Sequence, residues 1–172
     1  LVGSCDFFSA ADAGQVNGAT APRSPGSALK PFTYALAFER GICAPGTILA
    51  DTPAVFGAYA PVNFDGVCHG LVTARQALAA SLNIPAVRLL KDVGPASLHA
   101  LLRDLGVTTL RGDPRRYGLA MTLGAPEVTL LELTNAYAAL ARLGVFRPLR
   151  LLETDPVAPG RRVLSEDAAY LV

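Results

Sequence analysis

The chain has 172 residues, of which 51% are hydrophobic, and its 15 Lys and Arg residues nearly balance its 14 Asp and Glu residues for a net charge of +1. This length and hydrophobic content predict one folded domain with a buried core rather than a disordered segment. The near-neutral charge and the lack of a basic block argue against nucleic acid as a partner. No uncharged apolar run approaches the roughly 18 residues that span a bilayer.

The chain begins with LVGSCDFFSAADAG, a stretch that lacks the basic and apolar regions of a signal peptide. We expect this start to lie inside a longer protein. A helix is predicted from Ser27 to Arg40, with Gly41 as its stop. Residues 42–72 are rich in proline, glycine and aromatic side chains, show little helical periodicity, and are expected to form a long ordered connection.

Three helices with proline and glycine boundaries come next. Thr73 is expected to cap a short helix, TARQALAASL, and Pro85 to open a second, PAVRLLKDV, that ends at Gly94. Pro95 is expected to begin a third, PASLHALLRDL, that ends at Gly106.

The last predicted elements include both helix and strand. Thr129 and Glu132 form a T-x-x-E capping box at the start of a helix that runs up to Gly144. The best strand candidate is RPLRLLE, which begins at Arg147, and Ser165 is expected to cap a final helix. With no internal repeat, these elements predict a single helix-rich domain.

The cysteines and histidines give no sign of a metal site. Cys5, Cys43 and Cys68 contain no C-x-x-C pair and have no companion histidines at zinc spacing. His69 and His99 stand isolated in the sequence, and a structural role is the expectation for both. We therefore predict neither a metal nor another cofactor.

The stretch PRSPGSALKPF places Ser27 and Lys30 three positions apart at the start of the first helix. On a helix this spacing puts both side chains on one face, about 5–6 Å apart at Cβ. A serine in the first turn lies in the positive field of unpaired backbone N–H groups, and a neutral lysine can act as its base. Pro31 is tolerated so early in a helix. The pair predicts a serine nucleophile.

The residue type at position 30 supports the same interpretation. The chain contains thirteen arginines and only two lysines. A desolvated lysine can lose its proton, whereas an arginine cannot. The alternative is a capping serine beside a solvated lysine, because S-x-x-K also occurs by chance.

A second motif, Ser81-Leu82-Asn83, falls between two predicted helices, where a loop can present polar side chains to a cleft. A hydroxyl at Ser81 could relay a proton, and the amide of Asn83 could bind a substrate carbonyl or the lysine. An ordinary polar pair at a helix end is the alternative. S-x-x-K followed about fifty residues later by S-x-N matches the first two motifs of penicillin-binding proteins and class A β-lactamases.

The sequence around these motifs resembles that of one protein family. RSPGSALKPF, DTPAVFGAYAPVNFDG, ALAASLNIPAVRLL and YGLAMTLGAPEVTLLELTNAYAALARLG are similar to the transpeptidase domain of bifunctional penicillin-binding proteins, most of all to the 1C type. The resemblance covers the chain from about Val2 to Leu151. It implies an α-rich, mixed α/β fold, namely the helical part of a penicillin-binding transpeptidase or serine β-lactamase-like fold.

The resemblance also implies a chemistry and a role for each motif residue. Such enzymes cross-link peptidoglycan by forming a serine acyl-enzyme with D-Ala-D-Ala stem peptides, and β-lactam antibiotics acylate the same serine. By matching motif, Ser27 is expected to be the nucleophile, Lys30 the base, Ser81 the proton relay and Asn83 the contact to substrate and lysine. The loop that contains Asn63 is expected to be architectural.

One motif of the family is missing from the sequence. Relatives carry Lys-Thr-Gly or Lys-Ser-Gly on a strand that lines the site, whereas Lys91, the second lysine here, is followed by Asp92. We therefore expect residues 1–172 to form a partial transpeptidase domain that ends before this motif, with most sheet strands outside the chain. Such a fragment is expected to be a weak or inactive enzyme and to associate with further copies through its uncovered core surface.

The resemblance also suggests a setting and partners. The parent protein would be anchored in the inner membrane, carry a glycosyltransferase half, and act on its periplasmic face with stem peptides and β-lactams as ligands. In that oxidising compartment Cys43 and Cys68 could pair, with two free thiols as the alternative. A serine β-lactamase or D,D-carboxypeptidase, which delivers the acyl group to water, and a non-catalytic scaffold of the same fold are the alternative functions.

Overall fold

A computed structural model describes residues 4–172 of the chain. Within that range it contains six α-helices and two short antiparallel strand pairs. The helices are α1 (Lys30–Glu39), α2 (Ala74–Ala79), α3 (Asn83–Val93), α4 (Pro95–Asp104), α5 (Leu130–Ala141) and α6 (Glu166–Tyr170). The strands are β1 (Ile48–Asp51), β2 (Gly70–Thr73), β3 (Val145–Phe146) and β4 (Arg161–Arg162). This helix-rich architecture with small sheets confirms the predicted α-rich fold class.

Helix α1 lies at the centre of the fold. Its sequence is apolar on nearly every side, and seven of its ten residues are buried. Helices α3, α4 and α6 pack around it, and leucine and valine side chains of α3 and α4 together with Ala169 of α6 complete one hydrophobic core. A helix enclosed in this way holds its first residue, Lys30, in a fixed position.

Local sequence signals account for the starts of α2, α5 and α6, whereas α3 begins at Asn83, two residues before the predicted Pro85. Thr73 and Thr129 each accept a hydrogen bond from the backbone N–H three residues on, and Gln76 and Glu132 complete the two capping boxes. The side chain of Ser165 caps α6 by accepting from the backbone N–H of Ala168 at 3.2 Å. These predicted helix starts are confirmed.

The connection predicted for residues 42–72 contains two strands that the sequence did not reveal. Strands β1 and β2 pair in antiparallel register, with Ile48 opposite Thr73 and Asp51 opposite Gly70. The loop between them folds back beneath the start of α3. This hairpin brings Asp51 and the loop residues close to Asn83.

The strand predicted at Arg147 is wrong. Pro148 has no N–H to donate to a ladder, and the N–H groups of Leu151 and Leu152 donate instead to the carboxylate of Asp155 at 2.9 and 2.8 Å. The strand in this region is β3, which ends at Phe146, just before that segment, and pairs with β4.

The suggested disulfide is also wrong, because Cys43 and Cys68 are free thiols. Cys43 packs into the hydrophobic core, and burial raises the pKa of its thiol to about 11. Cys68 is exposed on the loop between β1 and β2. The two side chains therefore face different environments.

None of the helices within residues 4–172 has the length and apolarity that a membrane crossing requires.

Candidate active site

Ser27 lies in a 3-10 turn, Gly26–Leu29, that runs directly into α1. The positive φ of Gly26, +56°, lets the chain turn sharply before the serine. Ser27 itself is exposed, and in the described part of the chain its hydroxyl has no hydrogen bond to Lys30 or to Ser81. The hydroxyl is thus open to an incoming ligand, one helical turn before the lysine.

Contacts from distant parts of the sequence hold this turn. The Ser24 hydroxyl donates to the carbonyl of Gly124 at 2.7 Å, and the Tyr137 hydroxyl donates to the carbonyl of Ala28 at 2.8 Å. Gly124 has a φ of +93°, and its backbone packs directly against Gly26. The serine is therefore positioned from both sides of its turn.

We predict that Gly124→Ala destabilises the fold and displaces Ser27. A β-carbon at position 124 would lie 2.3 Å from the backbone nitrogen of Gly26, at a φ that disfavours alanine. The expected loss of unfolding free energy is at least about 2 kcal/mol, measured by urea denaturation. Gly46→Ala, where a β-carbon meets open space, is the matched control. Equal stability of both variants would contradict the prediction.

Lys30 is 1% exposed, and its amine is enclosed by oxygen atoms. Nζ donates to Ser81 Oγ at 3.0 Å, to Asn83 Oδ1 at 2.7 Å and, in a short contact, to the carbonyl oxygen of Ser81. Burial lowers the pKa of Lys30 to about 8. The amine can therefore lose its proton near neutral pH, as a general base must.

The three oxygen atoms around Lys30 Nζ match in number the three N–H groups of a protonated lysine. When the amine is neutral it has two N–H groups and one lone pair, so one of its partners must donate. Neither the carbonyl of Ser81 nor the carbonyl oxygen of Asn83 can do so, whereas the Ser81 hydroxyl can both accept and donate. This arrangement makes Ser81 the partner through which a proton can pass.

Ser81 adopts a left-handed backbone conformation with φ of +55°. It follows the last turn of α2, where its N–H donates to the carbonyl of Leu78 and the N–H of Leu82 donates to that of Ala77. These are the bonds of a Schellman motif, whose left-handed position is usually glycine. The left-handed conformation costs a serine about 1 kcal/mol relative to glycine, and the hydroxyl that glycine would lack accepts a hydrogen bond from Lys30.

We predict that Ser81→Gly keeps or raises the melting temperature while it slows acylation of Ser27. Glycine relieves the left-handed strain by about 1 kcal/mol and preserves the carbonyl that binds Lys30, but it removes the hydroxyl that is expected to relay a proton. Thermal melting and the rate of labelling by a fluorescent penicillin measure the two effects. A variant with an unchanged labelling rate would show that the hydroxyl has no part in proton transfer.

Asn83 is the first residue of helix α3, and hydrogen bonds hold both its backbone and its side chain. Its N–H donates to Asn63 Oδ1 at 2.8 Å, and its Nδ2 donates to the carbonyl of Val62 at 2.7 Å. Its Oδ1 then faces Lys30. The fold thus joins Lys30, Ser81 and Asn83 in one cluster, although Ser81 and Asn83 lie 51 and 53 positions after the lysine.

Sequence reasoning gave no role to two residues that hold the serine turn, and it interpreted Asn63 only as architectural. Gly124 and Tyr137 hold the serine turn, and Asn63 holds Asn83. All three fall within the stretches quoted for the family resemblance, which was the signal available for them. His69, for which a structural role was expected, lies 2.9 Å from a carboxylate oxygen of Asp51.

No group of three or more His, Cys, Asp or Glu side chains within residues 4–172 could hold a metal ion. The candidate site contains a serine, a buried lysine, a second serine and an amide. A serine hydroxyl one helical turn before a buried lysine of lowered pKa is an arrangement that serine acyl transfer can use.

Comparison with known proteins identifies the class. The model of the penicillin binding protein transpeptidase domain matches residues 9–172, and the chain belongs to this family. It is 38% identical over 171 residues to penicillin-binding protein 1C of Escherichia coli strain K12, which covers 99% of this chain and 22% of that protein. Penicillin-binding protein 1A of Neisseria meningitidis strain Z2491 is 34% identical over 151 residues, covering 84% and 18%.

The corresponding protein 1A of Neisseria lactamica is 35% identical over 152 residues, with the same coverage. The chain thus spans about a fifth of the length of these relatives. The predicted family is confirmed.

Proposed function

We propose that the protein is a serine D,D-transpeptidase that forms an acyl-enzyme at Ser27 with D-Ala-D-Ala stem peptides of peptidoglycan. The observation that carries the proposal is the enclosed amine of Lys30, one helical turn after an exposed serine and held by Ser81 and Asn83. Membership in the transpeptidase family supports the same chemistry.

In the first half of the reaction, neutral Lys30 takes the proton of the Ser27 hydroxyl, directly or through Ser81. Ser27 Oγ attacks the carbonyl carbon between the two D-Ala residues and forms a tetrahedral oxyanion, which the N–H groups at the helix start help to stabilise. The C–N bond then breaks, and the leaving D-Ala amine receives the proton that Lys30 holds. Asn83 is proposed to bind the peptide as well as the lysine.

In the second half, the amine of a neighbouring strand attacks the ester at Ser27. Lys30 accepts a proton from the attacking amine and returns it to Ser27 Oγ as the ester bond breaks. The products are a cross-linked peptide and free serine. A β-lactam follows only the first half, because its cleaved amide nitrogen remains tethered to the acyl group and the ester persists.

The proposal extends to the setting of the intact protein. We propose that it is anchored in the cell membrane, acts on the periplasmic face alongside a glycosyltransferase domain, and meets stem peptides and β-lactams there. Residues 1–172 are proposed to form part of its transpeptidase domain, because the sequence includes two of the three family motifs. The relatives' names and the family match support this assignment.

The direct test is to give the intact protein a pentapeptide ending in D-Ala-D-Ala together with an acceptor amine such as a D-amino acid. Mass spectrometry should find an ester at Ser27, released D-Ala and a product joined to the amine. Hydrolysed peptide alone would establish a carboxypeptidase, and rapid turnover of penicillin a β-lactamase. No adduct under any condition would overturn the proposal in favour of a scaffold.

We predict that acylation of Ser27 accelerates as pH rises through about 8. Only the neutral amine can accept the serine proton, and the pKa of Lys30 is lowered to about 8 by burial. Below this value the rate should rise about tenfold per pH unit, and above it the rate should level off. Stopped-flow labelling with a fluorescent penicillin gives the profile, with circular dichroism at each pH as the folding control. A flat profile would exclude Lys30 as the base.

A further inference from the structure

Asn63 lies on the loop between β1 and β2, is 4% exposed, and is fully occupied by hydrogen bonds. Its Oδ1 accepts from the N–H groups of Asn83 at 2.8 Å and Ile84 at 3.4 Å, the first two residues of α3. The helix receives no side-chain cap from its own N-cap residue, Leu82. Asn63 therefore supplies from another part of the chain the acceptor that a capping residue normally provides.

The orientation of the Asn63 amide is fixed by what surrounds it. Nδ2 faces three acceptors, the two carboxylate oxygens of Asp51 at 2.9 and 2.8 Å and the carbonyl of Val67 at 2.8 Å. A rotated amide would place its N–H groups against two backbone N–H groups and its oxygen against a carboxylate. Such a rotation would break every bond. The amide therefore has one stable orientation.

The carboxylate that holds Asn63 is itself buried and ionised. Asp51 is fully buried and accepts further hydrogen bonds from the backbone and ring of His69, at 2.8 and 2.9 Å. Burial raises the pKa of Asp51, but hydrogen bonds from Asn63 and His69 outweigh this effect and leave the pKa below its usual value. An unpaired buried carboxylate is costly, so Asp51 and Asn63 hold each other strongly.

We propose that Asn63, locked by Asp51, is a positioning residue that aims the Asn83 amide oxygen at Lys30. The proposal rests on the proposed function, because it concerns the base of that reaction. The chain of contacts is continuous: Asp51 orients Asn63, Asn63 holds the backbone of Asn83, and Asn83 Oδ1 binds Lys30 Nζ at 2.7 Å. Val62, the neighbour of Asn63, fixes the other end of the Asn83 amide.

The test uses the intact protein and four variants: Asn63→Ala, Asn63→Asp, Asp51→Asn and the exchange D51N/N63D. Asn63→Ala should slow acylation of Ser27 by about 10²-fold, because the base loses its alignment. Its pH–rate profile should also shift toward lower pH, since a displaced Asn83 no longer stabilises the ammonium of Lys30. A purely structural role would lower stability without moving the profile.

Asn135→Ala is the matched control. Asn135 also donates to a backbone carbonyl, that of Arg147 at 3.0 Å, but it is not among the hydrogen-bond partners of Lys30. The Asn135→Ala variant should have the pH–rate profile and the acylation rate of the unmodified protein. If Asn63→Ala behaves like this control in both respects, the proposal is overturned.

The exchange variant tests the same contact without leaving a cavity. Asn63→Asp places two carboxylates side by side, whereas D51N/N63D restores one carboxylate facing one amide, so the double variant should recover at least about tenfold of the rate that the single variant loses. This comparison decides the matter if Asn63→Ala does not fold, and no recovery would overturn the proposal. Titration of the Lys30 ammonium by NMR in each variant reports the same displacement even if Ser27 proves not to be acylated, so the two hypotheses fail separately.

Discussion

Replacing Ser27 with alanine in the intact protein should abolish covalent labelling by a fluorescent penicillin. The Ser27 hydroxyl is the exposed nucleophile in the proposed reaction, and removal of a nucleophilic serine can cost about 10⁶-fold in rate. The fold should be unaffected, because the side chain makes no hydrogen bond to Lys30 or Ser81 in the described part of the chain. Gel fluorescence and intact-protein mass measure the loss.

Ser97→Ala serves as the matched control for this experiment. Ser97 lies in the first turn of α4, so the same hydroxyl is removed from a helix start away from Lys30. This variant should be labelled at the normal rate. Labelling of Ser27→Ala at a rate close to that of Ser97→Ala would place the nucleophile elsewhere.

Lys30→Met should slow acylation of Ser27 by about 10²–10⁴-fold, the range for loss of a general base. Methionine keeps a similar length and fits the buried position but cannot accept a proton. The rise in rate near pH 8 that comes from the lysine should disappear as well. Stopped-flow labelling from pH 6 to pH 10 would measure both effects.

Lys91→Met is the control, because it removes the only other lysine of the chain. Lys91 is exposed, and its Nζ lies 5.8 Å from the centre of the Phe56 ring, away from Ser27. The rate and pH profile of this variant should be those of the unmodified protein. A Lys30→Met variant that retained the rise near pH 8 would mean that another group is the base.

The sequence predicted those features that depend on neighbours along the chain. The spacing of Ser27 and Lys30 placed them within one helical turn, and the cap at Thr73 and the capping box at Thr129 marked two helix starts. The catalytic roles of Ser27, Lys30, Ser81 and Asn83 remain predictions.

Features that depend on distant contacts were missed or predicted wrongly. Strands β1 and β2 are four residues each and pair across a long loop, so neither has a clear pattern of its own. The apolar run after Arg147 looked like a strand, but no partner within residues 4–172 pairs with it, and Asp155 turns it locally. Asn63 was interpreted as architectural because only the tertiary fold brings its amide beneath Asn83.

The two long-range hydrogen bonds that hold the serine turn affect when the site can form during synthesis. Ser24 and Gly124 are 100 positions apart, and Ala28 and Tyr137 are 109 positions apart. Contacts of such long range form late in folding, because they require closure of a long loop. During synthesis at about 5–20 residues per second, the serine segment precedes its partners by roughly 5–20 s. A nascent chain therefore carries Ser27 before the hydrogen bonds that hold its turn can form, and the reaction proposed for Ser27 becomes possible only after Gly124 and Tyr137 have docked.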